Sequence, residues 1–326
     1  MNYSYLCITK LEYMEQEEKI ILQKVRSYRG ILSAGTHLYI SAFRRFLKAS
    51  WLTALIYALI NAALGTLTAI KVPELIVVIL QQLQRYNGVF IESLQSYLVI
   101  LVACIVLILA AVIAAALSQA TIFALLKEHS ETGNVPVPDS WWKPSTRMMG
   151  RTLKGVLLTL LICIPMVILA IATSYILSLW YVQLIFLAIT APFALPLWYV
   201  LLKYIMEPSA GYWATVRKGY GRGMGHWGSL FLILFLTTLF ILLAGMIVML
   251  PAHILYLANY RAQMGVLIGD PLGMPSYMLP MTFITFVLCS FLYFYICLPM
   301  LFNGYYAYGS IEAKELEHEQ QKLNIQ

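Results

Sequence analysis

Between Tyr97 and Leu126 the chain reads YLVILVACIVLILAAVIAAALSQATIFALL, thirty residues without one charged side chain. A helix rises about 1.5 Å per residue, so roughly 20 apolar residues cover a hydrocarbon layer of about 30 Å. This stretch exceeds that length. In hydrocarbon no water satisfies the backbone amides, which leaves only helices and closed barrels as spanning structures. A barrel strand alternates polar and apolar residues; this stretch does not, so it reads as a helix.

Working outward, five more blocks pass the same test: 51–70, 155–177, 182–202, 229–250 and 280–302, none with a charged residue in its central part. Across all 326 residues, 61% are hydrophobic, 11% are charged and the mean hydropathy is +0.77. Soluble domains carry about 25% charged residues. The sequence therefore predicts an all-α, polytopic membrane bundle of about six spans. It divides into an N-terminal segment 1–50, a transmembrane domain 51–309 and a C-terminal tail 310–326.

Basic residues set the orientation. With those spans, both tails and the loops 127–154 and 203–228 share one side, which carries 19 of the 22 Lys and Arg; Lys71, Arg85 and Arg261 fall on the other. The positive-inside rule then puts both termini in the cytoplasm. Of the 15 acidic residues, 12 lie on the same side, so the net charge of +7 resides there. Residues 1–50 lack the apolar core and small-residue site of a cleaved signal peptide, so the first span is expected to direct insertion. The first 13 residues add little pattern before Met14, which is a candidate start of translation. An intact-mass measurement finding Met1 or Asn2 at the terminus would refute that expectation. Of the five cysteines, Cys104, Cys163, Cys289 and Cys297 lie in spans and, with Cys7, form no Cys-x-x-Cys pair; they read as small packing residues.

The spans pair into three hairpins, each introduced by a basic, aromatic stretch: Tyr39 to Lys48, Trp141 to Arg151, and Gly211 to Arg222. Each places basic residues four apart, as Arg44/Lys48, Arg147/Arg151 and Lys218/Arg222. Helical spacing puts both charges on one face. There they can reach headgroups while Phe46, Met148, Tyr212 and Trp213 sink into the interface. Three interfacial helices are expected, with Arg44, Lys48, Arg147, Arg151, Arg217, Lys218 and Arg222 as candidate headgroup ligands. Pro144-Ser145 and Pro208-Ser209 place a breaker before a candidate N-cap. On the other side, Glu74 to Ser96 reads as an amphipathic helix or an extension of the first span. The 251–279 segment reads as an irregular connection with a helical beginning, and the acidic tail after Gly309 as a helical end that frays by Gln326.

Little in the spans suggests chemistry. Ionisable groups persist at bilayer depth mainly where function requires them, and none stands in mid-span. Asn61, Ser118, Gln119 and Thr121 read as polar glue between helices. The histidines His37, His129, His226, His253 and His318 show no i, i+4 metal pair. Gly223-Met224-Gly225-His226-Trp227-Gly228 fits a dinucleotide fingerprint, yet the strand that fingerprint requires does not precede it. With Arg217, Lys218 and Arg222 nearby, it reads instead as a flexible turn or a phosphate-holding helix start. Pro165, Pro192, Pro196, Pro280 and Pro299 free carbonyls four residues back and can kink their helices. Four of them, Pro165, Pro192, Pro196 and Pro299, are the candidate path or hinge of a transporter.

The run from Pro192 through Leu202, then Met206-Glu207-Pro208, Tyr212-Trp213, Arg217-Lys218 and Gly225-His226-Trp227 leading into a span, resembles the YciC-like and DUF975-like bacterial membrane proteins. These are similar to the membrane domain of some glycerophosphodiester phosphodiesterases. The resemblance implies a six-span protein of the bacterial inner membrane and carries no catalytic residue over. The expectation is a non-enzymatic protein, without cofactor, metal or nucleic acid, that organises anionic lipids or a membrane-protein partner. The alternative expectation is a transporter or channel for an apolar or zwitterionic substrate.

Overall fold

The computed structural model describes residues 22, 24–84, 90–133, 135, 142–177, 180–207, 209–269 and 275–325, with some side chains within the helices left outside the description. Among them every regular element is helical: α1 (Tyr28–Gln84), α2 (Phe90–Thr132), α3 (Trp142–Leu177), α4 (Trp180–Met206), α5 (Tyr212–Gly225), α6 (Trp227–Ile268), α7 (Met278–Cys297) and α8 (Pro299–Ile325). Four helical stretches among the described residues are long and apolar enough to cross a membrane: Tyr28–Pro73, Leu98–Thr132, Trp227–Val266 and Met278–Asn324. Phe193–Met206 is a shorter apolar helix.

The helix boundaries correct several expectations. α1 runs unbroken for 57 residues, because no breaker separates the basic stretch at 39–48 from the apolar block behind it. α3 likewise carries Pro144 in its first turn, where a missing N–H costs nothing, and continues into the third apolar block. Only the third basic stretch forms a helix of its own, α5, and its N-cap is Gly211 rather than Ser209. α1 extends through Pro73 to Gln84, so the part of Glu74 to Ser96 up to Gln84 continues the first span, while Phe90 to Ser96 open α2 and residues 85–89 lie outside the description. α6 continues to Ile268, and Gly269, at φ 105°, ends it with a conformation other residues rarely adopt. The tail stays helical to Ile325, but it does not separate at Gly309. Residues 301–313 of α8 are buried without interruption, so the 310 boundary falls inside the core.

The chain divides into two compact units. The first comprises the described part of Met1–Ala49 with Gln119–Thr238 and Pro299–Gln326. α8 occupies its middle. Phe302 meets Tyr39 and Phe46, and Asn303 Nδ2 donates to Thr237 Oγ1 at 2.8 Å. Tyr305 OH lies 3.2 Å from His129 Nδ1, and Tyr308 packs beside Tyr199. Phe46, Tyr199, Phe302, Tyr305 and Tyr306 are fully buried. Phe46, Met148 and Tyr212, expected in the membrane interface, thus face protein instead; only Trp213 is exposed. The rings of Phe46 and Tyr212 bury their area against other aromatic side chains, Phe302 and Tyr204, rather than against headgroups.

The second unit, Ser50–Ser118 with Leu239–Leu298, packs differently. Its buried positions on α1 are small: Ala54, Ala58, Ala62 and Ala69. Small residues let backbones approach where lipid gives no hydrophobic drive for association. α7 lies antiparallel to α1, pairing Tyr295 with Ser50 (3.2 Å between hydroxyls) and Phe294 with Tyr57. α6 joins through Asn259 Nδ2, which donates to Thr282 Oγ1 at 2.5 Å. These are polar contacts between helices among the described residues, whereas Asn61 and Ser118 bond the carbonyl four residues back in their own helices. Among the described residues many large apolar side chains face outward, with Ile247 75% and Val99 66% exposed. A helix apolar all round suits lipid rather than water.

α4 and α5 touch most closely where a Cβ on Gly223 would stand 3.0 Å from Pro196 Cβ, whereas Gly221 has open space around it. Gly223→Leu is expected to lower stability by about 1–3 kcal/mol through overpacking. Gly221→Leu is expected to leave the thermal unfolding midpoint in detergent unchanged, and equal midpoints for the two variants would contradict this account.

Candidate functional site

α5 is short and amphipathic. Tyr212, Thr215, Gly219 and Gly223 recur at helical spacing and are buried against α4. The opposite face presents Trp213, 60% exposed, with Arg217 and Lys218 also exposed. Its start is held from α3. Arg151 Nε donates to the Tyr204 carbonyl at 2.6 Å, and its Nη2 donates to the carbonyls of Glu207 (2.5 Å) and Ala210 (2.9 Å). The guanidinium also lies over the Tyr204 ring at 3.9 Å. The last carbonyls of a helix have no intrahelical donor, and Arg151 supplies one at the end of α4.

Behind α5 lies a group of charges, of which the first unit buries two, Lys203 and Glu312. Lys203 on α4 and Glu312 on α8 are 8% and 9% exposed, and Lys203 Nζ reaches Glu312 Oε1 at 2.7 Å. Tyr199 donates its hydroxyl to the same oxygen. Lys203 also meets Glu207 Oε1 at 3.1 Å, which accepts from Tyr308 OH at 3.2 Å. From α5, Arg222 reaches Glu319 at 2.9 Å, Glu315 at 3.6 Å and Glu312 at 3.9 Å. His226 Nε2 lies 3.2 Å from Glu315 Oε1. Burial disfavours the Arg222 charge, but Glu312, Tyr199, Glu315 and Glu319 outweigh it and raise its pKa above the ordinary value.

Removing ions from water costs several kcal/mol each, a loss recovered only with good geometry and full hydrogen bonding. This group meets that requirement across α4, α5 and α8, so it acts as a lock among three helices. Four carboxylates (Glu207, Glu312, Glu315, Glu319) face Lys203 and Arg222, and the His226 ring reaches Glu315. Among the described residues no set of three metal-capable side chains comes together.

The candidate headgroup ligands therefore separate. Arg44, Lys48, Arg217 and Lys218 are exposed. Arg151 and Arg222 spend their hydrogen bonds inside the protein, Arg151 on the carbonyls of Tyr204, Glu207 and Ala210 and Arg222 on the Glu319 carboxylate. The Arg147 side chain lies outside the described residues, as does that of Pro192. Of the candidate hinge prolines, Pro165 is exposed in α3, Pro196 packs against α5, and Pro299 begins α8 directly after α7. The glycine-rich fingerprint lies at the helical end of α5, with His226 turning into α6 and no strand before it. Tyr199, Lys203, Tyr308 and Glu312 were missed. The spacing of Glu312, Glu315 and Glu319 on one helix face was the available signal.

Glu312→Ala leaves a buried ammonium short of its main partner, and about 3 kcal/mol of destabilisation is expected. Lys203→Met combined with Glu312→Leu should recover most of that loss in the same thermal unfolding assay; a double variant no better than Glu312→Ala would argue against the lock. No protein-family model, curated protein or solved structure matches the chain.

Proposed function

We propose that the chain is a non-enzymatic, six-span integral membrane protein that engages anionic lipid from its cytoplasmic side through α5. The observation that carries this reading is the division of α5 into two faces. One is fixed to α4 and held at its start by Arg151, and the other exposes Trp213, Arg217 and Lys218. An indole suits the region between headgroup and acyl chain, and each nearby Lys or Arg contributes about 1 kcal/mol towards an anionic surface. A face fixed in advance loses little conformational freedom on binding.

Four of the six spans correspond to the long apolar stretches, and the remaining two to α3 and α4. Both termini are cytoplasmic in this reading, since 19 of 22 basic residues then share that side. Such a layout is the one the YciC-like and DUF975-like resemblance implies, and a bacterial inner membrane is the setting it suggests. Pro196, whose ring fills the contact with Gly223, serves packing in this account rather than a transport path.

Arg217→Glu with Lys218→Glu is expected to reduce retention of phosphatidylglycerol, read by native mass spectrometry of protein released from mixed nanodiscs, by about tenfold or more. Protease accessibility confirms that topology is kept. Unchanged lipid retention with intact topology would remove the proposal.

A further inference from the structure

The first unit also contains a partly enclosed cavity of about 140 Å³, away from the exposed face of α5. Its polar wall is made by Arg26, Ser27, His226, Ser229, Ser310 and Lys314, and the rest is aliphatic apart from Tyr28. Two guanidinium or ammonium groups and an imidazole thus border one small volume, and no carboxylate lines it among the described residues. Like charges gathered around one small volume repel, and an anion bound among them offsets that repulsion. Glu315, next to Lys314 in the chain, is engaged by His226 at 3.2 Å and stands 3.6 Å from Arg222. Lys314 has no hydrogen bond or ion pair among the described residues, so its ammonium remains available.

The backbone adds to the field. α1 begins at Tyr28 and α6 at Trp227, and residues of both first turns form the wall. Helix starts carry partial positive charge and N–H groups without intrahelical acceptors. Ser27 Oγ accepts from Gly30 N at 3.2 Å, which leaves its hydroxyl hydrogen to donate. Ser310 Oγ accepts from Arg26 N at 3.0 Å, pinning the segment before α1 to α8. Arg26 itself is oriented by the Leu22 and Lys24 carbonyls and lies 5.1 Å from the Tyr306 ring centre. Burial lowers its pKa from the ordinary arginine value, so a bound anion would favour the charged form. The volume is several times the roughly 30 Å³ share of one liquid water, room enough for a phosphoryl group with part of its substituent.

We propose that this cavity binds a phosphate-bearing ligand, with Lys314 and Arg26 as its cations and the Ser27 and Ser229 hydroxyls as neutral donors. The aliphatic remainder of the wall receives the carbon skeleton attached to the phosphate. This site is separate from the α5 face, and the two stand or fall independently. The same chemistry is offered by a lipid headgroup and by a soluble phosphate ester.

The test uses the purified full chain in two arms. In neutral detergent, calorimetric titration with inorganic phosphate and with glycerol 3-phosphate reads the soluble source. In phosphatidylcholine nanodiscs with and without phosphatidic acid, native mass spectrometry of retained lipid reads the membrane source. Saturable one-to-one binding is expected in at least one arm, and whichever arm shows it identifies the source. Lys314→Glu should weaken it by about tenfold or more, as loss of a charge-assisted contact requires. Ser229→Leu, which narrows the cavity without changing charge, should weaken it as well, and Lys322→Glu, further along the same helix, should not. If Lys314→Glu fails to fold, Lys314→Gln and Ser229→Leu carry the comparison. Absence of saturable binding in both arms, or wild-type affinity in the folded cavity variants, overturns the proposal.

Discussion

Hydrocarbon offers a chain nothing to hydrogen-bond with, and most of this molecule follows from that lack. The backbone closes its own bonds in helices, and the long α1, α2, α6 and α7 leave their large aliphatic side chains outward. Association then cannot come from driving oil out of water, because the surroundings are already oily. The second unit answers with alanines at near-regular intervals and with a few hydroxyl and amide contacts. In the first unit the answer is different: large rings around α8 and the buried Lys203–Glu312 pair among them.

That contrast explains where sequence reading succeeds and where it stops. The helical class and the apolar stretches are legible because length and hydropathy act locally, residue by residue. The helical start of the 251–279 segment and the continuation past Ile70 were legible for the same reason. The division of spans into units with separate interfacial helices was not. Whether Phe46 faces the membrane interface or protein is decided by its contact with Phe302, more than 250 positions later in the chain.

The charged group illustrates the same limit. Lys203 and Glu312 are 109 positions apart, each at the end of an apolar run, where a charge ordinarily faces headgroups or water. Nothing local distinguishes such a residue from a snorkelling one. Arg151 and Arg222 were assigned to lipid on that ordinary expectation, while Arg217 and Lys218, only a turn away from Arg222 on the same helix, do point outward. One turn of helix is enough to separate an internal tie from an external contact.

The central position of α8 has a bearing on how the molecule is made. Of the helices described, it leaves the ribosome after all the others, yet Tyr199, Lys203, His129 and Phe46 are all completed by it. Until it emerges, the nascent first unit has aromatic and charged surfaces lacking their counterpart. Assembly of that unit is thereby deferred to the close of synthesis, and a message cut short before Pro299 would yield helices able to insert but unable to finish their core.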